Sequence, residues 1–117
     1  LQEAARYLGT PYVWGGYSPS GFDCSGFVSY CLTNSGVRNT GRLTAQGLYD
    51  ICTPVSESDV QPGDLIFFTG TYNAGVPVTH IGIYVGGGQM IHCGHPVQYT
   101  SIYSSYWQSH FYGFGRW

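Results

Sequence analysis

The apolar positions change period about halfway along the chain. In the first half they recur at helical spacing. Leu1, Ala4, Ala5 and Leu8 define a short first helix, with Gly9 able to cap it and Pro11 preventing its continuation. Cys24, Phe27, Val28, Cys31 and Leu32 follow i, i+3, i+4, i+7 and i+8, a single buried stripe on a second helix. Asp23 is a good N-cap for that helix and Gly36 a good residue to end it. A third helix is predicted from Thr44, as cap, to about Ile51.

The second half reads as strands. Pro62-Gly63-Asp64 is a turn signal, and Leu65-Ile66-Phe67-Phe68 is a compact buried strand. Residues 78–85 alternate, with Val78, His80, Gly82 and Tyr84 on one face and Ile81, Ile83 and Val85 on the other. Gly86-Gly87-Gly88 turns the chain, residues 89–93 return, and residues 111–114 form a last strand. Helices followed by antiparallel strands predict an α+β fold, with N-terminal helices packed on a central antiparallel β-sheet. The 117 residues suffice for one buried core and are too few for two, so residues 1–117 read as a single domain.

Composition narrows the possible partners. Only 9% of residues are charged, against a usual figure of about 25%. There is no lysine, and four arginines against six acids leave a net charge of -2. That balance excludes an electrostatic footprint for nucleic acid or anionic lipid. No apolar run approaches the ~20 residues that span a bilayer. The chain starts at Leu1, so any export signal or companion domain is expected outside it. Cys24, Cys31, Cys52 and Cys93 contain no C-x-x-C spacing and define no disulfide or zinc framework. A disulfide among Cys31, Cys52 and Cys93 stays open.

The candidate chemistry begins at Cys24, in the first turn of the second helix. A helix N-terminus favours a thiolate, whereas the adjacent Asp23 carboxylate opposes one. The plainer alternative is that Cys24 continues the apolar stripe shared with Cys31. A nucleophilic thiol needs a base. A three-residue loop centred on Gly86 would set His80 directly opposite His92 on one sheet face. His80 would then take the thiol proton and His92 would orient it. Gly82, beside His80, would leave room for a close helix approach. The alternative for His80 is a hydrogen-bonded strand histidine. A metal reading from Cys24, His92, Cys93 and His95 requires a bulge, because the strand neighbours His92 and Cys93 face opposite ways. His95 reads as a loop residue and His110 as packing. Tyr12 and Trp14 line a cleft or join the core, with the core favoured for Trp14. Arg42, Thr44 and Gln46 form a polar cluster at a helix start, with surface and capping roles as the alternative.

Several blocks, in order, resemble the NlpC-type cysteine peptidases, papain-like endopeptidases of bacterial peptidoglycan. They are Pro11–Gly16, Phe22–Phe27, Arg42-x-Thr44-x-Gln46, Gln61–Phe68, Thr79–Gly86 with Met90-Ile91-His92, and Gly113–Arg116. A looser likeness runs to the endopeptidase half of two-domain wall hydrolases of conjugative elements. The resemblance implies a papain-like fold with Cys24 as nucleophile, His80 as base and His92 as orienting member. The Cys24 N–H would serve the oxyanion, and Tyr12, Trp14, Asp23 and Ser25 would contact substrate. The implied reaction cuts the bond between γ-D-glutamate and the following diamino acid of a wall stem peptide, with no cofactor and no metal. A papain-like amidase or an inactive wall-binding module are the alternatives. A secreted or wall-associated monomer is expected, with a separate targeting or second hydrolase domain in the parent protein. If Cys24 and His80 are coupled, the thiol should ionise well below the free value of about 8.5. Residues 70–77 and the aromatic stretch 94–110 carry no assigned role.

Overall fold

The computed structural model describes residues 1–73 and 75–117, so residue 74 of the stretch 70–77 lies outside the described residues. In chain order the elements are α1 (Gln2–Ala5), β1 (Tyr17–Ser18), β2 (Gly21–Phe22), α2 (Cys24–Ser35), α3 (Ala45–Ile51), β3 (Thr53–Val55), β4 (Leu65–Thr69), β5 (Val78–Gly86), β6 (Gln89–Cys93), β7 (Val97–Ser101), α4 (Ser105–His110) and β8 (Phe111–Arg116), with a 3₁₀ turn at Glu57–Asp59. Among the described residues β1 and β2 pair with each other, and the rest form one antiparallel sheet in the order β3-β8-β4-β5-β6-β7. The α+β architecture read from the periodicity is the one observed.

The helix ends follow their capping residues. The Asp23 Oδ1 accepts from the Gly26 N–H at 2.6 Å, and Gly36 ends α2 at φ +82°. Thr44 Oγ1 accepts from the Gly47 N–H at the start of α3. The first helix is shorter than its spacing predicts, because the chain leaves α-geometry after Ala5 and turns through Gly9 at φ +85°.

Two cores flank the sheet. On one face the α2 stripe of Phe27, Val28, Cys31 and Leu32 packs with Leu48 of α3 against Leu65, Phe67, Ile81, Ile83 and Ile91. On the other face Ile66, Phe68, Met90, Ile102 and Phe114 cluster with Tyr84 and Trp107. The four residues from Leu65 to Phe68 are all fully buried because β4 is covered on both sides.

Helices α2 and α3 therefore sit on the Ile81 and Ile83 face of β5, whereas His80 and Gly82 belong to the opposite face, where α4 packs. Gly82 does not admit a helix. A Cβ there would meet Met90 Sδ at 2.9 Å and His92 Cβ at 3.2 Å, so the glycine makes room for the neighbouring strand. The β5–β6 register also differs from the expected one. Ile83 pairs with Ile91 and Tyr84 with Met90, after which Val85 is an extra residue and Gly86 pairs with Gln89 across Gly87-Gly88. Those two glycines have φ +61° and +75°, the positive pair that a tight two-residue hairpin turn demands. The offset from the expected pairing is two residues, so side-chain faces are unchanged. His80 and His92 meet diagonally rather than directly.

The loop ahead of α2 is held by backbone contact. The Gly16 carbonyl accepts from the Asp23 N–H at 3.1 Å, and a Cβ on Gly26 would run into that same carbonyl. Gly26→Ala is expected to destabilise the fold by about 3 kcal/mol or more, since the obstacle is backbone rather than a mobile side chain. Urea titration of the variant checks this, and a loss below about 1 kcal/mol would contradict the close approach.

Candidate active site

Cys24 opens α2 and is buried against the start of β5. Its Sγ donates to the Thr79 carbonyl at 3.8 Å, and the Ser25 and Ile81 backbone amides also face the sulfur. Thr79 is the extra residue of a bulge, because Phe68 pairs with His80 and Thr69 with Val78. The bulge changes the side-chain parity, so Val78 joins the helix-side core while His80 lies on the second face. The thiol thus touches the strand backbone on either side of His80, and its own hydrogen bond is to the carbonyl rather than to the imidazole.

His80 Nε2 and His92 Nδ1 are 2.9 Å apart, with ring centroids at 5.2 Å and planes at 86°. The structure brings these two predicted residues together, His80 half-buried and His92 buried. His92 is buried, and its Nε2 lies 2.9 Å from Thr100 Oγ1 of β7. Trp107 of α4 stacks on His80 at 5.1 Å and 24° and meets His92 edge-on at 5.2 Å. In the sequence Thr100 passes without notice, and Trp107 stands only within the aromatic stretch 94–110, as a groove or rim residue without an assigned role. The alternation of β7 is weak, and α4 is a polar and aromatic stretch whose one signal is the Ser104 cap.

A cavity of about 580 Å³ opens beside Cys24, and its lining includes Tyr12, Trp14, Asp23, Ser25, Arg42 and Tyr72. Trp14 is 74% exposed and lies edge-on to Tyr72 at 5.4 Å, so it is a rim residue and not part of the core. Arg42 is more than a surface residue. Its guanidinium pairs with Asp23 Oδ2 at 2.6 Å and donates to Ser25 Oγ at 3.0 Å. Gln46 accepts from the Val78 N–H at 2.9 Å, which ties α3 to the start of β5. His110 donates from Nδ1 to the Thr69 carbonyl at 2.7 Å, and His95 is exposed in a loop. All four cysteines are free thiols.

The electrostatics reverse the expectation for the thiol. Burial first, and the Asp23 carboxylate second, push Cys24 up to about 11; the Ser25 and Ile81 amides and Arg42 offset only part of this. Burial also pushes Tyr12 up to about 12, with Cys24 and Asp23 adding to the shift. His80 is pushed well below its ordinary value by burial and then by His92, and His92 is lowered by burial. The site at rest holds a protonated thiol and two neutral imidazoles. Such a set can attack an acyl carbon only if the base takes the thiol proton as the bond forms.

The chain as a whole is similar to known proteins. The model of the NlpC/P60 family matches residues 9–116. The chain is 47% identical over 117 residues to a probable endopeptidase p60 of Listeria seeligeri, covering 99% of this chain and 21% of that protein. It is 43% identical over 118 residues to the bifunctional muramidase/DL-endopeptidase CwlT of Bacillus subtilis, covering 99% of this chain and 35% of that protein. A solved structure from Staphylococcus aureus, described as similar to a lipoprotein of the NLP/P60 family, superposes with a TM-score of 0.93 at 45% identity. That match covers 98% of this chain and 39% of the other. The chain therefore spans about a third or less of the length of these curated relatives.

The neutral histidine pair has a consequence for stability. Both groups have folded-state values below the ordinary 6.5, so the unfolded chain binds protons that the folded chain refuses. Their contribution is fully present above about pH 6.5 and is lost as the pH falls toward the lowered values. Unfolding free energy measured in urea is expected to drop between pH 7 and pH 5, and to drop less in a His80→Asn, His92→Asn double variant. Equal slopes in the two proteins would contradict the neutral pair.

Proposed function

The chain belongs to the NlpC/P60 family, and from that membership we propose that it is a peptidoglycan hydrolase, a cysteine endopeptidase that cuts the γ-D-glutamyl–diamino acid bond of wall stem peptides. The observation that carries the proposal is the seating of the Cys24 thiol against the backbone that bears His80, whose far nitrogen is held by His92. The names of the relatives support the bond type, since CwlT is a DL-endopeptidase and p60 a probable endopeptidase.

In the proposed reaction the Cys24 S–H leaves the Thr79 carbonyl and gives its proton to His80 Nδ1 as the sulfur attacks the γ-glutamyl carbonyl carbon. The Cys24 N–H at the helix start receives the oxyanion. His80 returns the proton to the leaving amine of the diamino acid. Water, deprotonated by His80, then attacks the thioester and releases the glutamyl product, and His80 returns that proton to the Cys24 sulfur. His92 keeps the imidazole oriented throughout. Tyr12, Trp14, Asp23 and Ser25 line the cavity and are assigned to the stem peptide. Asp23 is suited to a cationic amine, and the Ser25–Arg42 pair to a carboxylate. Residues 1–117 act as the single catalytic domain of a longer protein that works outside the cytoplasm, where a separate domain supplies attachment to the wall.

Digestion of a purified stem tetrapeptide, read by mass spectrometry, tests the proposal. The wild type is expected to release L-alanyl-D-glutamate. Cys24→Ala and His80→Ala are each expected to lower kcat by on the order of 10³-fold or more. Cleavage at the sugar–peptide link would make the protein an amidase. Binding of intact muropeptide without cleavage would make it a binding module.

A further inference from the structure

The hydrogen bonds of the histidine pair do not end at His92. His92 is 3% exposed, so both of its ring nitrogens need partners within the protein. Nδ1 meets His80 Nε2 and Nε2 meets Thr100 Oγ1, each at 2.9 Å. The three residues lie on three adjacent strands, β5, β6 and β7. In the sheet register His92 stands opposite Gln98 on β7, and Met90 stands opposite Thr100. Continued by one step from Ile83–Ile91 and Tyr84–Met90, the β5–β6 register sets Gly82 beside His92. His80 is two residues before Gly82, and Thr100 two residues after Gln98. Each contact is therefore a same-face diagonal, and together they form a line across the sheet.

A line of neutral imidazoles has a direction. If His80 is to take a proton on Nδ1, its own proton must sit on Nε2 and be donated to His92 Nδ1. His92 must then carry its proton on Nε2 and donate it to an acceptor. Among the described residues Thr100 Oγ1 is the acceptor found there, and Thr100 is only half-buried. The opposite direction, with Thr100 donating to His92, would protonate both rings on Nδ1 and leave no base facing the thiol.

We propose that Thr100 is a positioning residue whose hydroxyl accepts the His92 Nε2 proton and so fixes the tautomers of both imidazoles. It extends the Cys24, His80 and His92 set by a fourth group that touches neither substrate nor sulfur. The proposal rests on the acid–base reading given above, and its test is separable from that reading.

The test is long-range ¹H–¹⁵N NMR of the 117-residue chain at pH 7, which assigns each histidine tautomer without substrate, together with stem-peptide kinetics. The wild type and Thr100→Ser are expected to hold both His80 and His92 as Nε2–H tautomers. Thr100→Val is expected to lose the single His92 tautomer and to lower kcat by about 10-fold or more with KM unchanged, while Thr100→Ser stays within about 2-fold of wild type. A wild-type His92 protonated on Nδ1 overturns the proposal, even if Thr100→Val fails to fold. Wild-type tautomers and wild-type kcat in Thr100→Val overturn it as well. If the wild type does not cleave the peptide, the endopeptidase reading falls and the tautomers still decide the role of Thr100.

Discussion

Two imidazoles joined nitrogen to nitrogen at 2.9 Å must share one proton between those nitrogens, and that constraint organises the site. It requires a diagonal approach between β5 and β6, which the Gly87-Gly88 turn and the extra residue Val85 set. It requires a missing side chain where His92 leans across, which Gly82 supplies. Burial, with Trp107 stacked on His80 and edge-on to His92, disfavours a charge on either ring. The second sheet face therefore does more than complete a core. Phe68 and Trp107 are in contact, with ring centroids at 4.7 Å, and form the apolar wall against which His80 is held.

The same constraint shapes the thiol. A neutral imidazole and a buried, protonated thiol form no resting ion pair, and the Asp23 carboxylate further disfavours a thiolate. Asp23 is nonetheless fixed in place by two structural duties, capping α2 through Gly26 and pairing with Arg42. Its cost to the thiolate accompanies a helix start that is rigid and a cavity wall that carries both signs of charge. In the proposed reaction, proton transfer at the moment of attack therefore takes the place of a standing thiolate.

Much of this was legible in the sequence where the signal was periodic or punctuated. The α2 stripe, its Asp23 cap and its Gly36 end, the Thr44 cap and the doubly buried β4 all follow from local rules. The shared face of His80 and His92 was also legible, because a register error of two residues preserves parity. Four features were not. The side of the sheet that the helices cover is decided by which face of β5 is apolar around Ile81 and Ile83, and not by the glycine at 82. Trp14 stands on the rim because the Val13 N–H and Gly16 N–H bonds lock a tight loop that turns its ring outward toward Tyr72. The edge strand β3 contains Pro54, which is tolerated there and hides a strand pattern, and the polar α4 conceals Trp107 among tyrosines and serines.

The resting protonation of Cys24 is the claim on which this account most directly turns. The decisive measurement is the rate of alkylation of Cys24 as a function of pH, read at that residue by mass spectrometry. The rate is expected to keep rising above the free-thiol midpoint of about 8.5, as a buried thiol beside a carboxylate requires. A rate already at its plateau by about pH 6 would show a standing thiolate and would contradict the neutral resting site.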